Sequence, residues 1–323
     1  MKTIGVFTSG GDAPGMNACL RAVVRTAISY GMEVWGICRG YQGMIDGEFR
    51  PLGIRDVSNI IQLGGTILHS ARSEAFRTPE GRRQAYEQLK ARGIEGLVAI
   101  GGDGTFTGAH VFMKEYPDLR IVGAPGTIDN DLYGTDYTIG YDTAINTAMN
   151  AIDNIKDTAN SHDRVFFVEV MGRDAGFIAL ATGIATGAEA VLVPESRTNL
   201  DALVRLLQQN FERRKRANII VVAEGDDEGG AVEVARKVQA HLPHIEARVT
   251  ILGHVQRGGR PTCMERVRAS RIGMECVRAL KEGKSGVMVG IIHRDIVYTP
   301  FEKAIKHHQD LNPTLLQIVQ LLS

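Results

Sequence analysis

The chain has 323 residues, 44% of them hydrophobic and 6% aromatic, with 37 glycines; that length suggests about two domains of roughly 150 residues, and many glycines with few aromatics suit an α/β protein full of tight strand-to-helix turns. Lys plus Arg and Asp plus Glu both number 37, so charge gives no reason to expect bulk attraction to nucleic acid or membrane. Cys19, Cys38, Cys263 and Cys276 form no C-x-x-C pair, which argues against a structural zinc site or a disulfide scaffold.

The opening "MKTIGVF" reads as a strand and not as a signal peptide. No apolar run approaches the ~18 residues of a membrane span, and the expected compartment is the cytoplasm. In chain order, strands are expected at Ile4–Phe7, Glu33–Cys38, Leu97–Ile100, Ile121–Ala124, Val165–Val170, Ala190–Val193, Ile219–Ala223, Arg248–Leu252 and Val287–Ile292. Helical patterns lie between most of them. In 16–30, Leu20, Val23, Val24, Ala27 and Ile28 recur with helical period, and 199–213 and 229–241 read similarly. Alternating strands and helices imply right-handed βαβ units and parallel sheet. No linker of the Ser/Pro-rich kind is evident, so two domains would exchange the chain more than once.

Ligands of open α/β sheets bind at the carboxyl ends of strands. The residues that follow the strands are "TSGGDAPG", "GGDGT", "PGTIDND", "MGRDAG", "EGDDEGG" and "GHVQRGG". Nearly every strand thus delivers glycine plus a charged or hydrogen-bonding group to one rim.

In "LVAIGGDGTF", Gly101, Gly102 and Gly104 let backbone N–H groups approach an anion, and a helix expected from about Phe106 adds a favourable dipole. Asp103 would repel phosphate unless a cation lies between them, which reads as Mg²⁺ held directly or through water; the other reading is a helix cap. "FTSGGDAPGMNA" repeats the design through Gly10, Gly11 and Gly15. A P-loop is absent, because Arg278 stands where "GKS" would need its first Gly, and the G-x-G-x-x-G pattern fails at Thr107. In "IVGAPGTIDNDLYGTD" the carboxylates Asp129, Asp131 and Asp136 crowd the end of a strand, and their mutual repulsion suggests chemistry.

"TSGGDAPGMNA", "GGDGT", "PGTIDND", "VEVMGR" and "LGHVQRGG", in this order, resemble the bacterial ATP-dependent 6-phosphofructokinase family (phosphofructokinase A) over nearly the whole chain. The resemblance implies two doubly wound, mostly parallel-sheet α/β domains with the active site in the cleft between them. An ATP-binding domain would span 1–140 plus 256–302, and a fructose-6-phosphate-binding domain 141–255 plus 303–323. It also implies a glycolytic kinase that transfers the γ-phosphoryl of Mg-ATP to the C1 hydroxyl of fructose 6-phosphate.

By the same resemblance Asp129 is the general base, Thr127 bonds the transferring phosphoryl group, and Arg72 and Arg173 neutralise its charge. Asp131 holds the sugar or tunes Asp129. The ATP site comprises Gly11, Tyr41, Arg72, Ser73, Arg77, Gly102, Asp103, Gly104 and Thr105, with Asp103 toward the metal. Met171, Gly172, Arg173, Glu224, His254 and Arg257 match the sugar-phosphate site. Arg164 and Arg248 match arginines that reach a neighbouring subunit, which implies a homotetramer. Pyrophosphate-dependent relatives typically carry Asp where this chain has Gly104 and Lys where it has Gly126, so ATP is favoured as donor. A catalytically silent regulatory paralogue should have lost Asp103, Asp129 or Arg72, and all three are present.

An effector site for ADP or phosphoenolpyruvate is matched by Arg21 and Arg25, four apart on one polar helix face, and by Arg55, Lys156, Gly187, Glu189, Arg213 and Lys215, with Arg216 a further candidate. Ile54, Asn59 and Ala217 depart from the family pattern there. Residues 301–323 suggest only helical packing, and the adjacent His307 and His308 point to different faces, a poor metal pair.

Overall fold

A computed structural model describes residues 1–159, 164–213, 215, 217–306 and 310–322. His307, His308 and Arg216 lie outside the described residues. The first stretch of chain forms β1 (Thr3–Thr8), α1 (Met16–Ser29), β2 (Glu33–Ile37), α2 (Gly40–Asp46), β3 (Phe49–Pro51), α3 (Pro79–Ala91), β4 (Gly96–Gly101), α4 (Asp103–Glu115), β5 (Arg120–Thr127) and β6 (Ile139–Gly140). There follow α5 (Tyr141–Ala159), β7 (Arg164–Val170), α6 (Phe177–Thr186), β8 (Ala190–Leu192), α7 (Leu200–Glu212), β9 (Ala217–Ala223), α8 (Ala231–His241) and β10 (Glu246–Ile251). The chain closes with α9 (Cys263–Lys281), β11 (Val287–Ile292), β12 (Asp295–Pro300), α10 (Phe301–Lys306) and α11 (Pro313–Leu322).

These elements sort into two compact units. The first holds Met1–Ile128, Leu132–Thr143 and 257–306; the second holds Asp129–Asp131, Ala144–Gln256 and the segment from Asp310. The turn Asp129–Asp131 therefore groups with the second unit although β5, which leads into it, belongs to the first.

In the first unit the strand order is β12-β11-β5-β4-β1-β2-β3, with β6 paired to β5. Neighbours from β11 to β2 are parallel, while β12 and β3 are antiparallel edges. Apolar side chains alternate: Phe7, Leu97, Ala99 and Ile121 join one core with α2, α3, α4 and α10, while Ile4, Val6, Val98 and Val122 are buried on the other side. Both faces are covered, as continuous apolar strands require. Phe106 stacks on Phe301 at 5.1 Å, and a Cβ on Gly123 would come within 2.4 Å of one ring and 2.8 Å of the other. That glycine in β5 is the dent into which both rings fit, each fully buried and worth roughly 1.5–3 kcal/mol of transfer free energy.

The second unit has a four-stranded, all-parallel sheet in the order β10-β7-β9-β8. Val165, Phe167, Ile220 and Val222 pack there against Leu203 and Leu207 of α7 and Val234 and Val238 of α8. The Asn199 side chain accepts the Ala202 N–H at 2.9 Å and caps α7. Gly187, at φ 58, ends α6 in the left-handed conformation that favours glycine.

All nine expected strands are present, with ends shifted by no more than three residues and β11 as expected at both ends. Three were not expected. β3 and β6 are too short to show a period, and β12 joins β11 through His293 and Arg294, at φ 49 and 77. Such a two-residue hairpin usually announces itself by Asn-Gly or a similar pair. α4 starts at Asp103, not near Phe106, because Gly102 is already its N-cap in extended backbone.

Candidate active site

The first unit's sheet reverses its strand order at β1, with β4 and β5 on one side and β2 on the other, the topological position where open α/β sheets bind ligands. The turns that leave β1 and β4 are the two glycine-rich segments. They are interlocked: the Ser9 N–H donates to the Ile100 carbonyl at 3.0 Å, and a Cβ on Gly101 would lie 2.5 Å from the Ser9 carbonyl and 2.3 Å from Thr105 Oγ1. Gly10 is at φ 85, a backbone that strains other residues. Gly104 differs, since a Cβ there would meet nothing within 4 Å. The protein does not require glycine at 104; the space over the N-terminus of α4 is open.

Asp103 is half-buried in the first turn of α4, where the helix dipole favours a carboxylate. The buried Thr105 hydroxyl has no hydrogen-bond partner among the described residues. Tyr41 is buried, stacks on Phe76 at 3.9 Å and donates to the Thr105 carbonyl at 2.6 Å. Its ring belongs to the core, so it supports the α4 turn from behind.

The Arg72–Arg77 segment is anchored from several sides. Ser70 donates to the Gly10 carbonyl, Ser73 Oγ accepts the Phe76 N–H at 3.1 Å, and Gln42 accepts from Ser73 at 2.8 Å. The buried Arg82 donates to the carbonyls of Phe76 and Arg77 at 2.9 and 2.8 Å and makes a two-pronged pair with Glu115, both bonds 2.7 Å. Arg72 is exposed above this base, and Arg77 pairs with Glu74 at 3.4 Å. Asn17, also buried, holds the neighbouring loop through the Leu63 and Gly64 carbonyls and the Ile67 N–H. Arg257 lies against the first glycine turn: its Nη1 is 3.4 Å from the Asp12 carbonyl, and a Cβ on Gly11 would meet it at 2.5 Å.

β5 runs three residues past its expected end. It pairs with β6 through Gly126 and Thr127, and Thr138 donates to the Thr127 carbonyl at 2.6 Å. A Cβ on Gly126 would come within 2.9 Å of Met16 Cε and 3.2 Å of the Gly101 nitrogen. A Cβ at 126 would require the end of the Met16 side chain to shift, so packing favours glycine there in addition to any donor preference, whereas at Gly104 no packing reason exists. Asp129 and Asn130 are 4% and 3% exposed, and Asn130 sits at φ 56. Asp131 is half-buried. Asp136 accepts the His293 N–H at 2.8 Å and so secures the β11–β12 hairpin turn, a structural use that removes it from the acidic cluster.

Behind the first glycine turn stands Glu265, buried in α9. A Cβ on Gly15 would meet its Cγ at 2.9 Å, and its carboxylate accepts the Thr143 N–H and hydroxyl at 3.3 Å. Burial pushes its pKa up to about 7, against hydrogen bonds from the Gly140 and Thr143 backbone that favour the charged form.

In the second unit the loops that leave β7, β9 and β10 converge. Met171, Gly172 and Arg173 follow β7, with Gly172 at φ 144 and Arg173 at φ 54. The Arg173 N–H donates to Glu224 at 2.7 Å, and a Cβ on Gly225 would meet the Arg173 carbonyl at 2.1 Å. A non-glycine residue held in left-handed backbone by its surroundings is the kind of strain that collects at functional sites. The Met171 N–H donates to Gln256, which lies in the turn Gly253–Arg257 that also carries the exposed His254. Arg164 and Arg248 both meet Glu246. The acidic loop after β9 is structural in part: Asp226 and Asp227 accept from the Thr198 hydroxyl and N–H at 2.7 and 3.0 Å.

Four of the expected effector residues also meet in this unit. Lys156 donates to the Thr186 carbonyl at 2.6 Å beside Gly187, and Lys215 pairs with the buried Glu189 at 2.7 Å. Asn210 adds a bond to Glu189 at 3.1 Å. Arg213 is exposed. In the first unit Arg21 is half-buried and Arg25 exposed along α1, and Arg55 is exposed in a loop.

Sequence reasoning missed Gln256, Glu246, Arg82, Asn17, Glu265 and Asn210. Gln256 and Asn17 stand inside the quoted "GHVQRGG" and "TSGGDAPGMNA", and the other four lie in no motif; in each case the spacing does not show which loop or side chain the residue holds.

The phosphofructokinase family model matches residues 3–280. An ATP-dependent 6-phosphofructokinase 1 of Thermus thermophilus is 58% identical over 323 residues, covering all of both chains. An ATP-dependent 6-phosphofructokinase of Cytophaga hutchinsonii is 55% identical and covers all of this chain and 98% of its own. Among solved structures, phosphofructokinase from Saccharomyces cerevisiae superposes with a TM-score of 0.90 at 39% identity, over 95% of this chain and 45% of that longer one. A pyrophosphate-dependent phosphofructokinase from Marinobacter aquaeolei has a TM-score of 0.86 over 99% of this chain and 91% of its own, at 21% identity, a likeness of fold. No helix among the described residues is long and apolar enough to cross a membrane.

Proposed function

The chain belongs to the phosphofructokinase family, and we propose that it is an ATP-dependent 6-phosphofructokinase of glycolysis, acting in the cytoplasm. The observation that carries the donor side is the interlocked pair of glycine turns at the β1/β4 reversal, with open space at Gly104 over the N-terminus of α4. Backbone N–H groups and a helix dipole there suit a chain of phosphates. The unpartnered Thr105 hydroxyl is a further donor at the same turn.

Asp103 would hold magnesium. Among the described residues no three or more His, Cys, Asp or Glu side chains converge as a cation cage. A single carboxylate suits an ion whose remaining ligands are phosphate oxygens and water. Bound there, the ion would offset phosphate charge. Arg72 and Arg173 would add positive charge at the transferred group, and Thr127 would orient it. Asp129 takes the proton of the C1 hydroxyl as that oxygen attacks the γ-phosphorus; the bond to the bridging oxygen breaks, and ADP leaves. Asp131, Met171, Gly172, Glu224, His254 and Arg257 would position the sugar phosphate.

Arg164 and Arg248 are assigned to the 6-phosphate of a neighbouring subunit in a homotetramer. Lys156, Gly187, Glu189, Arg213 and Lys215, with Arg21, Arg25 and Arg55, are assigned to an ADP or phosphoenolpyruvate effector. A coupled assay with fructose 6-phosphate tests the whole reading. Turnover with Mg-ATP and little with pyrophosphate is expected; preference for pyrophosphate, or no turnover, would overturn it.

A further inference from the structure

Gln256 is fully buried in the turn after β10. Its side-chain carbonyl accepts the Met171 N–H at 3.2 Å, and its amide donates to the Gly253 carbonyl at 3.0 Å. These partners fix which way the amide faces, since an N–H needs the oxygen and a carbonyl needs the nitrogen. The bond to Met171 joins loops 85 residues apart in sequence. They leave neighbouring strands, β7 and β10, at the same rim. One carries Met171, Gly172 and Arg173; the other carries His254.

The β7 loop is held on two sides. Glu224 takes the Arg173 N–H, and Gln256 takes the Met171 N–H. Between these clamps the backbone passes through φ 144 and φ 54. A loop in that conformation relaxes when a clamp is lost, and the cost of re-forming it then falls on the ligand.

We propose that Gln256 is a positioning residue for sugar-phosphate binding, which locks the Met171–Arg173 loop to the His254 turn before the substrate arrives. This rests on the reading of those two loops as the sugar-phosphate site. Gln256 touches no reacting atom; it acts through the backbone of Met171 and Gly253.

The test separates this role from core filling. Gln256→Met keeps the volume and removes both bonds; Gln256→Glu keeps an acceptor for Met171 and can donate to Gly253 only with its buried carboxyl protonated. In the full-length enzyme, Gln256→Met should raise KM for fructose 6-phosphate at least about tenfold and leave KM for ATP within about twofold, because lost preorganisation falls on the ligand that uses it. Gln256→Glu should fall between it and wild type. Hydrogen exchange without ligand should quicken at 171–175 and stay unchanged across 96–115. An unchanged sugar KM in a folded Gln256→Met variant, an equal rise in both KM values, or failure of both variants to fold would overturn the proposal. Wild-type enzyme without fructose 6-phosphate turnover would sink the site reading, and exchange at 171–175 would still decide whether the clamp exists.

Discussion

Glu246 stands opposite Arg164 on the β10–β7 ladder, with its Oε2 2.9 Å from the arginine Nε, although the N–H direction there misses hydrogen-bond geometry. Its other oxygen meets Arg248. One carboxylate thus occupies both arginines assigned to a 6-phosphate. A dianion that recruits them must first displace it.

Glu246→Gln should therefore tighten sugar-phosphate binding. Partly exposed ion pairs are worth about 0.2–1 kcal/mol each, so with two pairs released KM for fructose 6-phosphate should fall about two- to thirtyfold. The change should shrink as salt is raised, since salt screens the competing pair. A rise in KM would show that Glu246 orients the arginines for the phosphate and does not compete with it.

Subunit sharing is tested by hybrids. Asp129→Ser should keep sugar binding and lower kcat at least about 10², the scale of a lost general base. An Arg164→Ala/Arg248→Ala variant should lose sugar affinity. Dissociated and reassembled together, the two should give some sites with Asp129 from one chain and both arginines from another, and activity above either parent. Confirmed hybrids with no gain would mean the arginines serve their own chain.

Gly104→Asp alone tests the donor. The added side chain enters open space, so the fold should keep its stability. A carboxylate about 5 Å from a phosphate charge costs about 3 kcal/mol at an effective dielectric near 20, so KM for ATP should rise on the order of 10² while sugar KM stays nearly constant. Unchanged ATP kinetics would place the donor phosphates elsewhere. Gly126→Lys is kept out of this test, because it also requires the end of the Met16 side chain to move.

Glu265 makes stability depend on pH. Its folded pKa, about 7, lies above the ordinary 4.5, so between these values the folded protein holds a proton that the unfolded chain has lost. Stability from this group is greatest below pH ~4.5, falls as pH rises toward ~7, and is level above. The span corresponds to roughly 3 kcal/mol. Glu265→Gln should remove that slope, so its denaturation midpoint relative to wild type should move upward between pH 5 and pH 8. A pH-independent difference would count against the raised pKa.

Much of this was legible in the sequence, for one physical reason. Parallel strands end at a rim, and the residues after each strand are read off directly; β1, β4, β7, β9 and β10 were placed that way with their turns. Short edges were not legible, because β3 and β6 carry too few residues for a period. The β11–β12 turn hid because His293 and Arg294 adopt positive φ without the usual glycine. Gly126 has a second reason that a residue type cannot show, since the end of Met16 lies over it, whereas nothing fills the space at Gly104. Arg82, Gln256 and Glu246 were invisible because each has a partner in distant chain, Glu115, Met171 and Arg164 in turn.

Gly123, Phe106 and Phe301 form a unit of inheritance as well as of packing. Alanine at 123 would strike both rings, and a smaller ring at either position would leave a void over the glycine. Each single step is costly and the combined change is cheap, so the three positions are epistatic. Lineages of this enzyme should exchange the trio together or keep it intact.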